Sequence, residues 1–392
     1  MKKIVYLTYH YPPDLSAGSF RNHALSLALS DMVDGHAEIH LFCTQPNRYS
    51  NFKETALEFE QKDNLHIYRL HVSQHGNRFW GQIRSFYEFE RQVKVLVKKI
   101  NPDFIFASSS KLFTAYLAYK LSQRGQIKYY IDLRDLFAEN LKEFIRIPLL
   151  NELLSFTVRH FFEKPCLMNA SHININSGGF QSNIPKGFKG STSFYPNGID
   201  DAFLNWKKDS VNTEGKKLIC YAGNIGEAQG LHHIVPALAK KLEGRFTFLL
   251  IGDGSAKNKL QTALDEFQVS NVEWHLPVNR DALLHYYLKS DYLFLHLNDF
   301  KSLEKVLPSK LFEYASGNLP ILAGVKGYAK EFIEKEIKSN YFIFNPGDVD
   351  AVVNYLENDK YQLLSRPDFI EKYKRNHITL DMATSILQSM RN

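Results

Sequence analysis

Short apolar runs alternate with amphipathic stretches along almost the whole chain. Strand-like runs in the first half include KIVYLT, EIHLFCT, DFIFASS and KYYIDL, and the second half restarts the pattern with KLICYAG, FTFLLIGDG, YLFLHLN and LPILAGV. Helical periodicity falls between them, near residues 21–33, 82–100, 111–124, 229–243 and 255–268. Continuous apolar strands separated by helices predict parallel sheets covered on both faces.

The two series of strands and helices predict two doubly wound α/β domains. Their join is the polar stretch DDAFLNWKKDSVNTEGKK, residues 200–217. In open parallel sheets, ligands bind beyond the carboxyl ends of the strands, where the strand order reverses. Two such domains facing each other would enclose one cleft, so the loops that follow strands are the candidates for chemistry.

Composition narrows the class of protein. A chain of 392 residues favours two domains, and no apolar run reaches the 18–20 residues that span a bilayer. The start, MKKIVYLTYHYPPD, is typical of a buried strand rather than a signal peptide. Three scattered cysteines indicate a reducing compartment and show no metal-ligand spacing. The net charge of +6 lies entirely in the first half and does not indicate a nucleic-acid partner.

The loop YHYPPDLSAGSFRN, residues 9–22, connects the first strand to the first helix. It places two small residues, Ala17 and Gly18, directly before the helix, and Arg21 lies close behind them. A loop that gathers backbone N–H groups at a helix N-terminus is a common way to hold a phosphate. The alternative is a plain surface turn.

A glycine-containing loop opens the second domain. In YAGNIGEAQGLHHI, residues 221–234, Gly223, Gly226 and Gly230 precede a helix and would let backbone amides approach an anion. The spacing is neither the dinucleotide fingerprint nor a Walker motif, so a tight turn is the alternative. Gly254, in IGDGSAKNKL, belongs to a turn that is more simply structural.

The stretch VLPSKLFEYASGNLPIL, residues 306–322, predicts a short helix that begins at Ser309 and ends at Gly317. Glu313 lies one turn after Ser309, where a carboxylate could accept hydrogen bonds from two ribose hydroxyls. Lys310 lies in the first turn, where the helix dipole disfavours a cation, which suggests that it meets an anion. The alternative is a solvated Lys and Glu on a surface helix.

Two stretches of the first domain offer further candidates. IDLRDLFAEN, residues 131–140, brings Asp132, Arg134 and Asp135 to a strand end, for acid–base work, for binding sugar hydroxyls, or as a structural ion pair. RFWGQIRSFYEFERQVKVLVKK, residues 78–99, predicts a basic helix, and near its start the residues Phe79, Trp80, Tyr87 and Phe89 add aromatic surface. Such a helix either packs on its sheet or also lies against an anionic membrane.

Six motifs occur in order: HYPPDLSAGSFRN, RDLFAEN, YPNGID, YAGNIGEAQGL, LLIGDG and PSKLFEYASGNLPIL. Together they span almost the whole chain, and the set resembles a family 4 glycosyltransferase of the GT-B fold. The resemblance is strongest to bacterial O-antigen and capsule transferases of the N-acetylfucosaminyltransferase-like group, which share the sequence motifs GNIGxAQGL and PSKLFEY.

The resemblance implies a GT-B fold of two facing Rossmann-like domains. Residues 1–200 would bind the acceptor, residues 201–370 would bind the nucleotide sugar, and the helix in 371–392 would pack back on the first domain. It also implies a retaining reaction that needs neither a metal nor a cofactor beyond the nucleotide-sugar co-substrate.

The resemblance further assigns roles to residues. Glu313 would hold the ribose, and the backbone around Leu311 and Phe312 would meet the diphosphate together with the loop at 223–226. Ala17 and Gly18 would lie close to the transferred sugar and phosphate. Candidate donor-binding residues of the second domain are Gly223, Asn224, Gly226, Gln229, Gly254, Lys305, Ser309, Leu311, Phe312 and Glu313.

The chain departs from the broader family at several positions. Asn224 and Gln229 stand where the family carries an arginine and a lysine, so two diphosphate cations are missing. Lys310 is the first candidate to replace them and Arg21 the second. Lys305 stands where the family has a glutamate and is a further candidate for the diphosphate. The family's histidine motif has no match, which leaves its work to Asp132, Arg134 or Asp135.

These features predict a glycosyltransferase of bacterial surface polysaccharide biosynthesis. It would move an N-acetylated sugar from a UDP-sugar to a polyprenyl-diphosphate-linked or glycan acceptor, from a peripheral position on the inner face of the cytoplasmic membrane. Two alternatives share the fold: a nucleotide-sugar 2-epimerase, and a non-catalytic sugar-nucleotide-binding partner.

Overall fold

A computed structural model describes most of the chain and divides it into two compact units. The described residues are 1–14, 16–46, 55–73, 79–109, 112–136, 148–204, 206–211, 215–358 and 361–391. Unit 1 comprises Met1–Asn197 with Asn376–Asn392, and unit 2 comprises Gly198–Arg375. Both units are α/β structures built on parallel sheets, as the alternating pattern predicts.

Unit 1 is built on one sheet, with the strand order β3-β4-β2-β1-β5-β6-β7-β8 among the described residues. Only the pairing of β3 with β4 is antiparallel there. The strands are β1 (Lys2–Leu7), β2 (Ala37–Thr44), β3 (Phe59–Lys62), β4 (Leu65–Leu70), β5 (Phe104–Ser109), β6 (Lys128–Leu133), β7 (His172–Ile175) and β8 (Ser191–Phe194).

The helices of unit 1 follow the predicted order with different bounds. They are α1 (Ala17–Met32), α2 (Phe79–Ile100), α3 (Leu112–Gly125), α4 (Pro148–Val158) and α5 (Lys164–Met168), with a π-helical turn at Arg159–Glu163 and a 3-10 helix at Gly178–Asn183. The C-terminal helix, Arg375–Arg391, also contributes to this unit. Its Met382, Ala383, Ile386 and Leu387 lie in the same buried cluster as residues of β1, β2 and β5.

Unit 2 has the strand order β11-β10-β9-β12-β13-β14, and every pairing is parallel among the described residues. The strands are β9 (Lys217–Ala222), β10 (Phe246–Ile251), β11 (Val272–His275), β12 (Tyr292–His296), β13 (Ile321–Gly324) and β14 (Tyr341–Phe344). The helices are α6 (Leu231–Lys241), α7 (Lys257–Glu266), α8 (Arg280–Lys289), α9 (Lys310–Ala315), α10 (Gly327–Phe332), α11 (Val349–Asn358) and α12 (Pro367–Lys372).

Continuous burial along the central strands explains both sheets. Residues 4–7 of β1 are fully buried, and so are residues 104–107 of β5. A strand buried on both faces has no polar side to alternate with, which is why its sequence is a continuous apolar run. Among the described residues, no helix has the length and apolar composition needed to cross a membrane.

Each sheet has one point where the strand order reverses. In unit 1, β1 pairs with β2 on one side and with β5 on the other. In unit 2, β9 lies between β10 and β12 in the same way. Ligands of open parallel sheets bind beyond the carboxyl ends of the strands at such a point. The loops after β1, β9 and β12 are therefore the positions to inspect.

Candidate functional site

The loop after β9 is folded tightly against the loop after β10. Gly223 has a φ of +145°, a conformation that residues with a side chain rarely adopt, and its N–H donates to the carbonyl of Ile251 at 2.7 Å. Any side chain at Gly252 or Gly254 would collide with the backbone of Gly223 or Ile225. These glycines therefore allow two loops to touch at the strand ends.

Asn224 and Gln229 hydrogen-bond to each other across the loop. The Asn224 side-chain amide donates to Gln229 Oε1 at 2.8 Å, and the backbone N–H of Gly226 donates to the same oxygen at 3.2 Å. The hydroxyl of Tyr221 donates to the carbonyl of Asn224 at 2.5 Å. Neutral amides therefore shape this loop at the two positions where the sequence lacks the expected cations.

The short helix α9 carries its lysine to the glycine loop. Lys310 Nζ donates to the carbonyl of Ala222, lies 5.0 Å from the centre of the Tyr221 ring and fills the space beside Gly223. Burial lowers the pKa of Lys310 below its usual value, while Glu313 acts in the opposite direction. The structure thus brings together two motifs that are almost 90 residues apart. Such a contact is needed if Lys310 is to replace the cations that are missing at Asn224 and Gln229.

Glu313 projects from the same helix and is largely enclosed. The Tyr287 hydroxyl donates to Glu313 Oε2 at 3.3 Å. Burial raises the pKa of Glu313, and the positive charges of Lys310, Arg375 and Arg280 oppose that rise. Ser309 precedes the helix without a side-chain capping bond, and the side chains of Leu311 and Phe312 are buried, so only backbone groups of that pair could meet a ligand.

Two arginines that sequence reasoning missed lie near this glutamate. Asp200 accepts from Arg280 Nη1 at 2.7 Å and also from Arg375 Nη1. The Asp200 side chain additionally accepts from the N–H of Ala202 at 3.2 Å and so caps the 3-10 turn Asp201–Phe203. Neither arginine belongs to a local motif, so only the folded chain reveals them.

His296, at the end of β12, hydrogen-bonds to the loop after β9 and to the loop after β14. Its Nδ1 donates to the carbonyl of Gln229 at 2.6 Å, and its Nε2 accepts the N–H of Gly347 at 3.1 Å. Burial lowers the pKa of His296 to about 4, so the ring is neutral near pH 7. The sequence pattern indicated only a strand residue at this position.

Lys305 ends a 3-10 helix, Lys301–Lys305, and is half-buried. Its assignment to the diphosphate stays a prediction. Gly254 follows β10 and donates its N–H to Asp253 Oδ1 at 2.8 Å, which fits the turn predicted there. Among the described residues, no group of three or more His, Cys, Asp or Glu side chains could hold a metal ion.

In unit 1, the loop after β1 leads directly into the N-terminus of α1. Ala17 and Gly18 are the first residues of this helix, and the Ser16 side chain caps it by accepting from the N–H of Ser19 at 3.1 Å. The arrangement is a helix start at the carboxyl end of a central strand, where the helix dipole favours an anion.

Arg21 is buried inside unit 1, bonded to a carboxylate and two carbonyls. Its Nε and Nη2 donate to Asp132 at 3.0 and 3.1 Å, and its nitrogens also reach the carbonyls of Pro196 and Tyr195 at 2.6 and 2.8 Å. Asp132 is fully buried and also accepts from Asn174 at 2.7 Å. The structural ion pair weighed from the sequence is therefore the observed state of Asp132, with Arg21 as partner. This position argues against Arg21 as a diphosphate cation.

Arg134 and Asp135 have different surroundings although they are adjacent. The guanidinium of Arg134 lies against Gly18, so that a Cβ atom on Gly18 would be 2.6 Å from its Nη1. Burial lowers the pKa of Arg134 to about 10. Asp135 is half-buried and accepts from the N–H of Leu136 at 2.9 Å. The rest of the RDLFAEN motif, residues 137–140, lies outside the described residues.

The basic helix predicted in residues 78–99 is α2. Phe86, Phe89, Val93 and Val97 face the core, and Tyr9 contacts the two phenylalanines. The expectation that Phe89 contributes aromatic surface is wrong, because it lies one turn from Phe86 on the buried face. The exposed stripe carries Arg84, Tyr87, Arg91, Val95 and Lys98. The side chains of Phe79 and Trp80 lie outside the described set.

A family model and a curated relative match parts of this chain. The family model described as "Glycosyl transferases group 1" matches residues 203–376. The Escherichia coli (strain K12) protein WcaI, whose name describes a glycosyl transferase of colanic acid biosynthesis, is 27% identical over 161 residues. That match covers 38% of this chain and 39% of WcaI, so it spans well under two thirds of the relative.

Solved structures resemble the chain over nearly its full length. Sucrose-phosphate synthase from Thermosynechococcus elongatus gives a TM-score of 0.74 at 14% identity and covers 99% of both chains. Anabaena HepE in complex with UDP-glucose gives 0.67 at 14% identity and covers 99% of this chain and 100% of its own. At an identity this low, the structural similarity shows the fold alone, and that fold is GT-B. Together, the matches confirm the predicted resemblance to a family 4 glycosyltransferase.

Proposed function

We propose that this protein is a retaining glycosyltransferase that uses a UDP-sugar and extends a lipid-linked or glycan acceptor of a bacterial surface polysaccharide. The observation that carries the proposal is the position of Lys310, which reaches the glycine loop at Gly223 from the helix that also bears Glu313. The family match over residues 203–376 and the UDP-glucose complex of HepE support a nucleotide-sugar donor.

The ribose and the diphosphate of the donor each have a chemically suitable partner in unit 2. The Glu313 carboxylate would accept hydrogen bonds from the two ribose hydroxyls. The diphosphate would lie at the glycine loop, where Lys310 supplies a positive charge. This charge would matter most as UDP departs, because negative charge grows on the leaving phosphate in the transition state. Lys310 would thus stabilise the leaving group more than the bound substrate.

A retaining reaction without a metal would pass through an oxocarbenium-like state. The bond from the sugar to the β-phosphate oxygen breaks first, and the departing phosphate draws the proton from the acceptor hydroxyl. The acceptor oxygen then bonds to the same face of the sugar. This mechanism needs no general base beyond UDP, which is compatible with Asp132 being engaged by Arg21.

The proposed acceptor is argued from the name of WcaI and from the exposed surface of α2. WcaI is named for colanic acid biosynthesis, which favours a surface polysaccharide. The exposed face of α2 carries Arg84, Arg91 and Lys98 beside Tyr87, a composition suited to an anionic membrane surface. We therefore propose a peripheral position on the cytoplasmic membrane and a polyprenyl-diphosphate-linked acceptor.

A UDP-release screen over UDP-sugars with a lipid-linked acceptor tests the proposal. Lys310→Ala and Glu313→Ala should each reduce release strongly, whereas Lys289→Ala and Glu266→Ala, exposed positions of the same unit, should not. Unchanged release in both of the first two variants would overturn the proposal. Sugar isomerisation without UDP release would indicate the 2-epimerase instead. Donor binding without release across the acceptor panel would indicate a non-catalytic binding partner.

A further inference from the structure

The Glu313 carboxylate accepts a hydrogen bond from a tyrosine that is completely buried. Tyr287 lies in α8 with 0% of its surface exposed, and its hydroxyl donates to Glu313 Oε2 at 3.3 Å. Among the described residues, no group donates to the second carboxylate oxygen, Oε1. Burial raises the pKa of Tyr287 above its usual value, and the charge of Glu313 adds to that rise. The hydroxyl therefore keeps its proton and serves as a donor to the carboxylate.

Aromatic packing fixes the position of the Tyr287 ring. Three buried rings contact it, with centres 5.5, 5.6 and 6.0 Å away, in Trp206, Tyr314 and Phe203. Because protein interiors are close-packed, a ring held on several sides cannot turn without displacing its neighbours. The Tyr287 hydroxyl is thus a donor at a fixed point beside Glu313.

The same cluster also holds the backbone of Glu313. Trp206 Nε1 donates to the Ser316 hydroxyl oxygen at 3.1 Å, and the Ser316 hydroxyl donates to the carbonyl of Glu313 at 2.8 Å. Gly317 lies directly against Trp206, so that a Cβ atom there would be 2.1 Å from the indole ring. Trp206 belongs to the polar stretch 200–217, which the sequence indicated only as a join between domains. This stretch therefore packs against the C-terminal end of α9, the helix that bears Glu313.

The nearby cations do not set the rotation of the carboxylate. Three of them oppose protonation of Glu313 through their charge: Lys310, Arg375 and Arg280. The lysine donates to a backbone carbonyl, and both arginines donate to Asp200, so none donates to Glu313 in the described part of the chain. Attraction between charges at a distance has no preferred direction, whereas a hydrogen bond does. The tyrosine hydroxyl is therefore the contact that orients the carboxylate.

We infer that Tyr287 is a positioning residue of the donor site, whose hydroxyl holds the Glu313 carboxylate in the rotation that presents Oε1 and one lone pair of Oε2 to the two ribose hydroxyls. A carboxylate has about four lone-pair positions, so the bond from Tyr287 leaves enough acceptors for both hydroxyls. Tyr287 itself is fully buried and acts only through Glu313. The inference rests on the proposed function, in which Glu313 binds the ribose.

Calorimetric titration of the full-length protein with UDP and with 2′,3′-dideoxy-UDP tests the inference. Tyr287→Phe keeps the ring and removes only the hydroxyl. We expect this variant to bind UDP about five- to tenfold more weakly and to bind the dideoxy analogue, which lacks both ribose hydroxyls, as wild type does. Tyr355→Phe, which removes the hydroxyl of a tyrosine stacked on Phe342 in the same unit, should bind both nucleotides as wild type does. Equal weakening of both nucleotides by Tyr287→Phe, or of neither, would overturn the inference.

A double-mutant cycle shows whether Tyr287 acts through Glu313. Glu313→Ala alone should weaken the binding of UDP and leave that of the dideoxy analogue unchanged. Adding Tyr287→Phe to Glu313→Ala should cause no further loss, because the group that the tyrosine positions is gone. A further loss as large as in the single Tyr287→Phe variant would contradict the inference.

The Glu313→Ala variant also separates the two levels of the argument. If it binds UDP as wild type does, the proposed ribose contact and the positioning role fail together. If it binds UDP more weakly while Tyr287→Phe does not, the ribose contact stands and only the positioning role fails.

The pH profile of kcat/KM separates positioning from a purely structural role. Burial raises the pKa of Glu313, and the hydrogen bond from Tyr287 opposes that rise by stabilising the ionised form. In Tyr287→Phe the pKa of Glu313 should rise further, so the acidic limb should move to higher pH while the alkaline limb stays in place. A lowered Tm together with an unshifted acidic limb would show that Tyr287 only supports the fold, which would also overturn the inference.

Discussion

Arg21 and Asp132, 111 residues apart in the chain, are joined by two hydrogen bonds of 3.0 and 3.1 Å in the interior of unit 1. The pair connects the first helix to the carboxyl end of β6. Arg21 also donates to the carbonyls of Tyr195 and Pro196, just beyond β8. One side chain thus ties together three segments that are distant in sequence.

Removing this arginine should destabilise the protein. Arg21→Ala would leave a fully buried Asp132 without its cation, and we expect the free energy of unfolding to fall by about 3–5 kcal/mol. Urea unfolding followed by circular dichroism measures the change, with Arg124→Ala as the exposed control. Replacing both members by apolar residues, in Arg21→Met with Asp132→Leu, should cost much less. Normal stability with lost turnover would instead favour the role of a diphosphate cation for Arg21.

The features that the sequence predicts correctly are those encoded within one short segment. The spacing of Ser309, Lys310 and Glu313 defines a single helical turn, and the glycines at 223 and 226 define a tight loop after a strand. Local geometry fixes both features, so both were predictable. That Lys310 replaces the missing diphosphate cations stays a prediction, and the structure adds that its ammonium group lies beside Gly223.

The remaining features depend on the order of strands and on the rotation of helices. Arg21 and Asp132 were each singled out, but as parts of different sites, because their contact requires β1, β5 and β6 to be neighbours. Arg280 and His296 carry no local signal at all. Phe89 was misplaced because a helix with aromatic residues on several sides does not reveal which of them faces the sheet.

The proposed donor site should impose a bell-shaped pH profile on kcat/KM. Burial raises the pKa of Glu313, so the carboxylate becomes protonated and loses acceptor capacity at a higher pH than an exposed one. Burial lowers the pKa of Lys310, so its charge is lost at a lower pH than usual. Activity should therefore fall on both sides of a neutral optimum.

Substitutions assign the two limbs of this profile. Lys310→Arg should move the alkaline limb to higher pH, because a guanidinium stays charged. Glu313→Gln should abolish the acidic limb and lower kcat/KM by about 10- to 100-fold, the value of a hydrogen bond to a charged group. Steady-state kinetics between about pH 5 and 10 measure both effects. A profile identical to wild type in both variants would contradict the assignment.

His296 should make stability depend on acidity. Its pKa of about 4 in the folded protein lies below the usual value of 6.5, so the unfolded chain takes up the proton more readily. The contribution is fully present above about pH 6.5 and is lost as the pH falls towards 4, by about 3 kcal/mol. In His296→Gln, the free energy of unfolding should decline less over this interval. His285→Gln, at an exposed position of α8, provides the comparison, and equal slopes in all three proteins would contradict the prediction.

The exposed stripe of α2 should mediate binding to anionic lipid. Tyr87 and Val95 are 66% and 56% exposed, and Arg91 and Lys98 lie on the same face of the helix. Because each basic residue near an anionic surface contributes about 1 kcal/mol, Arg91→Gln with Lys98→Gln should weaken liposome binding by about 30-fold. Flotation with phosphatidylglycerol-containing vesicles measures the bound fraction, which should also fall as salt is raised. The paired control is Lys240→Gln with Lys289→Gln, which removes the same charge from exposed positions of unit 2. An equal loss of liposome binding in both pairs would show that only the net charge of the protein matters. No loss of binding in either pair would show that the α2 stripe does not bind the membrane.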